Sequence, residues 1–375
     1  MQRLSIGLIG GGFMGRAHTL AFRAAAAVFS LPRAPHFEIV ADATDELAQA
    51  TAANLGFDRA TGDWRQLVGD PAVDLVDIAT PNVLHKPMSL AAIAAGKHVY
   101  CEKPLAPTAD DAKAMVEAAD AAGVKTFVGF NYLKNPIAAL ARDIVRSGEI
   151  GEVVNFRGIH AEDYMADPTT PFSWRLDPAS GPGALGDLGS HLISMARFLV
   201  GDIVSVCGQL ETVVKERPVR AGQPETQSID QDDQARALVR FANGAGGVIE
   251  ASWVAAGRQM QLAYEITGTR GAIAFTQERM NELKLYTAGQ PAGRDGFKTI
   301  TAGPDHPPYG EFCPAPGHQL GFNDMKTIEV RDLVEALADE RQAWPDFREA
   351  WQVQRVIDAV MAAATEQRWI EITDG

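Results

Sequence analysis

The sequence predicts two folded parts of α/β class: an N-terminal doubly wound dinucleotide-binding (Rossmann) domain over residues 1–130, then a C-terminal α/β domain over 131–375 with a large, mostly antiparallel open sheet. Three observations lead there. Apolar strands alternate with helix-length segments as far as residue 130, the pattern of parallel strands joined by right-handed crossovers. Gly10, Gly12 and Gly15 stand in G-x-G-x-x-G spacing between the first strand and the first helix. Beyond Gly148 short strands follow one another, with hairpin turns at Asn243-Gly244 and Thr269-Arg270-Gly271.

The first strand ends Ile6-Gly7-Leu8-Ile9, and a helix begins near Phe13. In this arrangement Gly10 permits the tight turn, Gly12 lets a pyrophosphate approach the backbone, and Gly15 lets helix and strand pack closely. The amides at the helix start, around Phe13 and Met14, offer donors and partial positive charge to phosphate. An incidental glycine turn is the alternative, but the strand before and the helical pattern after (Ala17, Leu20, Ala21, Ala24) supply the context for a phosphate loop. Pro32 and Pro35 should end the helix and turn the chain into a second strand, Phe37–Ala41. That strand runs into Asp42, where an acidic side chain holds ribose hydroxyls and repels a 2'-phosphate, so NAD is expected over NADP. The alternative for Asp42 is an N-cap for the helix from Glu46 to Leu55.

Asp63 opens a short helix, and Val73–Ala79 is a buried strand ending at Thr80-Pro81-Asn82. His85 and a helix to Ala95 follow, stopped by Gly96. Lys97–Cys101 is the next strand and leads into Glu102-Lys103-Pro104. Thr108 caps a helix ended by Gly123, and Val124–Gly129 is the last strand of the domain. Ligands of such folds lie at the carboxyl ends of the strands, where Gly10, Asp42, Thr80 and Glu102 fall. A lysine there, as Lys103, can reach a ligand, although a lone lysine is more often a solvated charge. Asn135 and Pro136 begin the first helix of the second domain.

Strands are expected at Val153–His160, Val204–Val214, Gln234–Phe241, Gly247–Trp253, Gln261–Thr267, Ala272–Thr276 and Leu283–Thr287. A sheet covered by helices on one face leaves the other in need of a partner, which predicts a homo-oligomer, a dimer or tetramer. Residues 288–323 carry six prolines and no clear periodicity, the mark of a long functional loop. Helices over 324–338 and 347–365 and a last strand over 369–373 close the chain. Between the first two strands of this domain, Gly181–His191 reads as a glycine-rich entry to a helix ending near Leu199. Asp187 and His191 are four apart, hence on one face of an α-helix. A carboxylate beside an imidazole raises its basicity and fixes its orientation, which suits proton transfer near neutral pH. An ordinary helix ion pair would look the same. A metal site is not indicated, since H-x-x-x-H and H-E-x-x-H spacings are missing.

Composition bounds the function. The 375 residues, 46% hydrophobic and 22% charged, suit an ordinary globular protein with two cores. A net charge of −14 without a basic cluster argues against nucleic acid. Cys101, Cys207 and Cys313 are far apart and form no C-x-x-C pair, as expected in a reducing cytoplasm. No apolar run approaches a membrane span. The apolar stretch after Met1-Gln2-Arg3 resembles an export signal, but cleavage there would destroy the phosphate loop.

Taken together, the Gly10–Gly15 loop, Ala79-Thr80-Pro81-Asn82 with His85, Glu102-Lys103-Pro104 and Gly186-Asp187-Leu188-Gly189-Ser190-His191 resemble the Gfo/Idh/MocA oxidoreductases in order and over nearly the whole chain. The resemblance implies a cofactor site including Gly10, Gly12, Phe13, Met14, Gly15, Asp42, Thr80, Asn82, His85, Glu102 and Lys103. It implies three catalytic residues around the reacting carbon: Lys103 to polarise the oxygen, His191 as main acid/base, Asp187 to orient it. The Lys103-Pro104 peptide is expected to be cis. The segments around Glu162-Asp163-Tyr164, Phe172-Ser173-Trp174-Arg175 and Pro308-Tyr309-Gly310-Glu311 resemble the sugar dehydrogenases of the family, so the expected reaction is oxidation of a secondary hydroxyl of a sugar, a levoglucosan-like anhydrosugar or an inositol-like cyclitol. Asn131, Tyr132, His160, Tyr164, Trp174 and Arg175 are the expected substrate contacts, with simple packing the alternative for Tyr164 and Trp174. Ser194 stands where the family often has an acid. Two other functions fit the same motifs: an NAD-dependent glycosidase and a dinucleotide-sensing binding protein.

Overall fold

In the computed structural model, which describes residues 2–373, the chain divides into two compact units, one of residues 2–134 with 321–354 and one of 135–320 with 355–373. In the first unit the chain runs β1 (Gln2–Ile9), α1 (Phe13–Val28), β2 (Arg33–Ala41), α2 (Asp45–Leu55), β3 (Arg59–Thr61), α3 (Trp64–Val68), β4 (Leu75–Ile78), α4 (His85–Ala94), β5 (His98–Cys101), α5 (Ala109–Ala122) and β6 (Thr126–Val128). The six strands are parallel, in the order β3-β2-β1-β4-β5-β6. The order reverses between β1 and β4, the switch point at which such sheets bind ligands.

β2 starts four residues earlier than the prolines suggest. Pro35 lies inside it, opposite Leu4 of β1. Its other side is unpaired there, because β3 joins β2 only from Ile39 to Ala41, and a strand without a second neighbour tolerates a residue lacking an N–H. β3 itself, three residues long, is too short to show a period.

The second unit begins with α6 (Pro136–Arg146), capped by the Asn135 side chain, and β7 (Val153–Ala161), then α7 (Ser190–Leu199), β8 (Ile203–Glu211), β9 (Glu216–Pro218), β10 (Thr226–Ser228), β11 (Gln234–Phe241), β12 (Gly246–Ser252), β13 (Gln261–Gly268), β14 (Gly271–Thr276), β15 (Glu282–Thr287) and β16 (Lys298–Thr301). With β17 (Ile370–Glu371), nine strands form one sheet, β16-β15-β14-β13-β7-β12-β11-β8-β17. It is mixed: β7 and β12 run parallel, whereas the other neighbours are antiparallel. Alternation along β11 buries Ala235, Ala237, Val239 and Phe241 and leaves Arg236, Leu238 and Arg240 outward. The inward face meets Ile193 of α7 and Val356 and Val360 from the last helix. β16 and a short helix, α8 (Tyr309–Phe312), lie within the expected loop 288–323. The hairpin β9–β10 was not legible either, its strands being short and polar.

The helix expected after the glycine-rich entry, ending near Leu199, is interrupted. Leu185–Gly189 forms a π-helical turn, and only from Ser190 is the helix α. In a π-turn the four-residue spacing that aligns two side chains on an α-helix no longer fixes their relation.

α9 (Phe322–Ala338) and the first part of α10 (Phe347–Glu366) belong to the first unit, so its sequence extends beyond the break expected at residue 130. The cause is packing: Val330, Leu333, Val334 and Leu337 of α9 share a core with Ala21, Phe22 and Ala25 of α1 and with Leu4, Ile6, Tyr100 and Phe127. Each valine, leucine, isoleucine or phenylalanine among them contributes about 1.5–3 kcal/mol when fully buried, a gain that a sequence break at residue 130 does not register.

Within the phosphate loop, a Cβ on Gly15 would stand 2.0 Å from the Gly10 carbonyl oxygen. The Gly15→Ala variant is expected to lose about 1–3 kcal/mol of stability through overpacking and to bind NAD more weakly. Urea unfolding and fluorescence titration with NAD measure both; a stable variant with unchanged affinity would show that the loop adapts.

Candidate active site

In the first unit the loop after β1 has the form its glycines dictate. Gly10 adopts φ +98°, and its amide donates to the Ala41 carbonyl at 2.9 Å. Nothing lies within 4 Å of where a Cβ on Gly12 would be, which leaves room for a ligand over the backbone. α1 starts at Phe13 with Gly12 as its N-cap, no side chain capping it and no acid in its first turn. Its leading amides, those of Phe13, Met14 and Gly15, are thus not neutralised by the protein, the condition for receiving a phosphate. Phe13 is 65% exposed and stacks on Phe322 of α9, ring centroids 5.9 Å apart.

Asp42 faces this loop. Its Oδ2 accepts from the Gly11 amide and the Thr51 hydroxyl, both at 3.2 Å, and its Oδ1 accepts from the Ala43 amide at 2.8 Å. Capping of α2 falls to Thr44, whose hydroxyl accepts from the Leu47 amide. The carboxylate is half-buried with lone pairs left to accept from a ribose diol. The glycine cradle, the uncapped helix start and this acid fit a dinucleotide without a 2'-phosphate.

After β4, Thr80 and Asn82 follow, half-buried and buried respectively. His85 is fully buried, its two ring nitrogens 2.9 Å from the carbonyls of Thr80 and Pro104. Expected among the cofactor contacts, it ties the loop after β4 to the Glu102-Lys103-Pro104 turn. The Lys103-Pro104 peptide is cis. Glu102, also expected at the cofactor, turns its carboxylate inward for a clear electrostatic reason. Its Oε1 accepts from His18 Nε2 at 2.8 Å and Lys326 Nζ at 2.7 Å, and its Oε2 accepts from the Lys103 amide at 3.1 Å. His18 Nδ1 meets Asp77 at 2.8 Å, Lys326 also donates to Glu329 at 2.9 Å, and the Tyr100 hydroxyl donates to Glu329. Burial opposes charge on His18, but Asp77 and Glu102 outweigh it and lift its pKa to about 9. Burial likewise opposes charge on Glu102, and Lys326 and His18 overcome it, holding the carboxyl well below its usual range. Lys326, Asp77 and His18 were missed in the sequence, although a lysine, an acid and a histidine inside apolar patterns are the trace such a cluster leaves. Lys103 is half-buried beside this anchored turn.

Asn131 and Tyr132 follow β6. Asn131 is buried and, among the described residues, its Nδ2 has no hydrogen-bond partner, an unusual cost that a ligand acceptor would remove. Tyr132 packs edge-on to Phe322.

In the second unit the π-turn carries Asp187, and α7 starts with Ser190-His191. Tyr164 donates its hydroxyl to Asp187 Oδ2 at 2.7 Å, and Arg175 donates Nε to the same oxygen at 3.1 Å, with the guanidinium over the Trp174 ring. Tyr164 and Arg175, expected at the substrate, therefore grip the carboxylate. His191 is 6% exposed, its ring 5.7 Å from that of His160. His160 is buried, with Nδ1 3.0 Å from the Leu188 carbonyl and Nε2 3.2 Å from Glu162. It braces the turn from the sheet. Ser194 donates to the His191 carbonyl at 2.8 Å, so its hydroxyl is spent on the helix backbone.

Comparison with known proteins fits both halves. Residues 4–130 match the oxidoreductase family with an NAD-binding Rossmann fold, and residues 138–274 match the GFO/IDH/MocA C-terminal domain. The chain belongs to the Gfo/Idh/MocA oxidoreductases. Levoglucosan dehydrogenase of Pseudarthrobacter phenanthrenivorans is 42% identical over 386 aligned residues, 99% of either chain. A solved levoglucosan dehydrogenase in complex with NADH and levoglucosan superposes with TM-score 0.95 over the full length of both chains, at 42% identity. An inositol dehydrogenase homolog from Azotobacter vinelandii shares the fold, with TM-score 0.83, 24% identity and 99% and 98% coverage. This Gfo/Idh/MocA member is thus an NAD-binding oxidoreductase. Among the described residues, no group of histidines, cysteines and acids is arranged to hold a metal, and no helix is long and apolar enough to cross a membrane.

The buried cluster of the first unit carries a pH signature. His18 has a higher pKa folded, about 9, than its ordinary 6.5. Its contribution, about 3 kcal/mol, is complete below pH 6.5 and lost as pH rises through 9. Urea midpoints of the wild type should fall between pH 7 and 10 more steeply than those of His18→Gln; equal slopes would exclude an imidazolium at this position.

Proposed function

We propose that the protein is an NAD-dependent dehydrogenase that oxidises a secondary hydroxyl of an anhydrosugar of the levoglucosan type to a ketone. The observation that carries this reading is the full-length 42% identity to levoglucosan dehydrogenase, together with Lys103, Asp187 and His191 in place in this sequence.

Gly10, Gly12, Phe13, Met14 and Gly15 hold the pyrophosphate, Asp42 holds the adenosine ribose, and Thr80 and Asn82 continue the cofactor site. Bound there, nicotinamide supplies a hydride acceptor. His191 takes the proton of the reacting hydroxyl, as an imidazole changing charge near neutral pH can. Lys103 hydrogen-bonds the same oxygen and stabilises its negative character as the proton leaves. Asp187, gripped by Arg175 and Tyr164, orients the imidazole. Asn131 offers its amide donor to a substrate hydroxyl, with Tyr132 and Trp174 as flanking aromatic surfaces. A polyol site needs this mix of fixed donors and apolar walls, because each unpaired buried group left by a wrong epimer costs affinity.

The second domain also carries the assembly surface of a homo-oligomer in this reading. Val154, Leu238 and Val248 stand exposed on neighbouring strands of the sheet, a row that a second copy would cover. Three cysteines without disulfides suit a cytoplasmic enzyme.

NADH formation at 340 nm, with NAD and NADP in parallel, should show turnover on levoglucosan above inositols, glucose, galactose, xylose and 1,5-anhydroglucitol, and NADP should be poor. Lys103→Ala is expected to lower kcat by about 100-fold or more while NAD still binds. Wild-type turnover in that variant would remove its catalytic role. NAD binding without turnover on any of these sugars would favour the glycosidase or the sensor.

A further inference from the structure

The turn that carries Asp187 is held from outside. Three consecutive amides at its entry end on one residue: Gly183 N donates to Asp232 Oδ1 at 2.6 Å, Ala184 N to the Asp232 carbonyl at 2.9 Å, and Leu185 N to Asp232 Oδ2 at 2.8 Å. These are the groups a helix start leaves without intrahelical partners. Asp187 N then closes the turn on the Gly183 carbonyl at 2.9 Å. A Cβ on Gly183 would lie 2.2 Å from the Asp232 carbonyl oxygen and 2.9 Å from the Trp253 ring, so the entry is pressed onto its anchor. Gln231 adds a hydrogen bond from its side chain to the Gly181 carbonyl.

The next residue fixes the other partner of Asp187. Asp233 is fully buried; its Oδ1 accepts from Trp253 Nε1 at 2.7 Å, and its Oδ2 accepts from the amides of Val213 and Val214 at 2.6 and 2.7 Å. The Arg217 guanidinium lies 3.9 Å from Asp233 and donates to the carbonyls of Met165 and Asp167 at 2.7 and 3.0 Å. Trp253 packs edge-on against Tyr164, centroids 6.1 Å apart, and its carbonyl accepts from the Met165 amide at 3.0 Å. The loop so pinned presents the Tyr164 hydroxyl to Asp187.

We propose that Asp232 and Asp233 together form the positioning element of Asp187: Asp232 fixes the turn from which it projects, and Asp233 fixes, through Trp253 and Arg217, the loop that grips its carboxylate. The inference rests on the role given to Asp187 under the proposed function. Neither acid touches the reacting atoms; both act through Asp187. Burial pushes the Asp232 carboxyl up to about 7 in spite of its two amide donors. A buried acid is a net cost to folding unless its hydrogen bonds repay it, and here those bonds all lead to the Asp187 turn.

The test is a double-mutant cycle with Asp187→Asn, Asp232→Asn and the double variant. It uses NAD and levoglucosan for turnover and amide hydrogen exchange of the 181–189 segment as a readout independent of turnover. Asp187→Asn is expected to lower kcat about 100-fold. Asp232→Asn should lower it at least about 10-fold with the KM for NAD within about twofold, and should speed exchange across 181–189. In the Asp187→Asn background it should cost no more than about twofold, because coupled residues are not additive. An equal cost in both backgrounds, unchanged turnover, or unchanged exchange in the single Asp232→Asn variant would each overturn the inference. Wild-type turnover in Asp187→Asn would instead overturn the assignment of Asp187 itself. Should Asp232→Asn fail to fold, Trp253→Phe removes the indole donor to Asp233 and is expected to lower kcat at least about threefold, only while Asp187 is present. Full activity or an additive loss in that variant likewise refutes the proposal.

Discussion

The ionised carboxylate of Glu102, buried at the carboxyl end of β5, is the constraint around which the first unit is arranged. A charge removed from water needs close partners of opposite sign and filled hydrogen-bonding positions. Those partners come from remote parts of the chain: His18 from α1, itself held by Asp77 of β4, and Lys326 from α9. Together with the apolar packing of α9, this holds a helix more than 180 residues beyond the end of the sheet in the same unit. It also fixes the lysine turn, since the second oxygen of Glu102 accepts the Lys103 amide and His85 pins the Pro104 carbonyl. Gly129 completes the arrangement, for a Cβ there would stand 2.4 Å from the Glu102 carboxylate.

The second unit solves a related problem by different means. Its π-turn is a locally weak element, with Gly186 and Gly189 supplying little helix preference. Hydrogen bonds from Asp232, a brace from His160 and packing of Ile193 on the sheet hold it. In both units a short irregular segment, the Glu102-Lys103-Pro104 turn in one and the π-turn in the other, is held in shape by buried polar side chains. Placing chemistry on loops held by rigid scaffolds is the general solution to the need for both reach and precision.

Side chains that the family resemblance assigns to ligands divide by burial. Asp42, Lys103 and Tyr164 retain exposed surface, and Asn131 keeps a buried donor without a partner among the described residues. His85, His160 and the Glu102 carboxylate spend their hydrogen-bonding capacity inside the protein. The motifs therefore mix residues that leave surface or donors open to a ligand with residues bonded within the protein, and position along the chain does not separate the two. Ser194 shows the limit from the other side: its hydroxyl satisfies the backbone of its own helix.

The sequence by itself determined the strand-turn-helix of the phosphate loop, the alternation of the first sheet, the helix caps at Thr108 and Asn135 and most strands of the second sheet, because these follow from local sterics and from periods of 3.6 and 2. It also carried the motifs Gly10–Gly15, Thr80-Pro81-Asn82, Glu102-Lys103-Pro104 and Gly186–His191 in recognisable spacing. What only the tertiary structure decided are the return of α9 to the first unit, the parallel pairing of β7 with β12, the π-turn at Leu185–Gly189 and the inward direction of Glu102. Each depends on partners distant in sequence, Lys326 for Glu102 and Asp232 for the π-turn. A polar residue in an apolar pattern announces that such a partner exists, whereas the chain's path through space decides which residue it is.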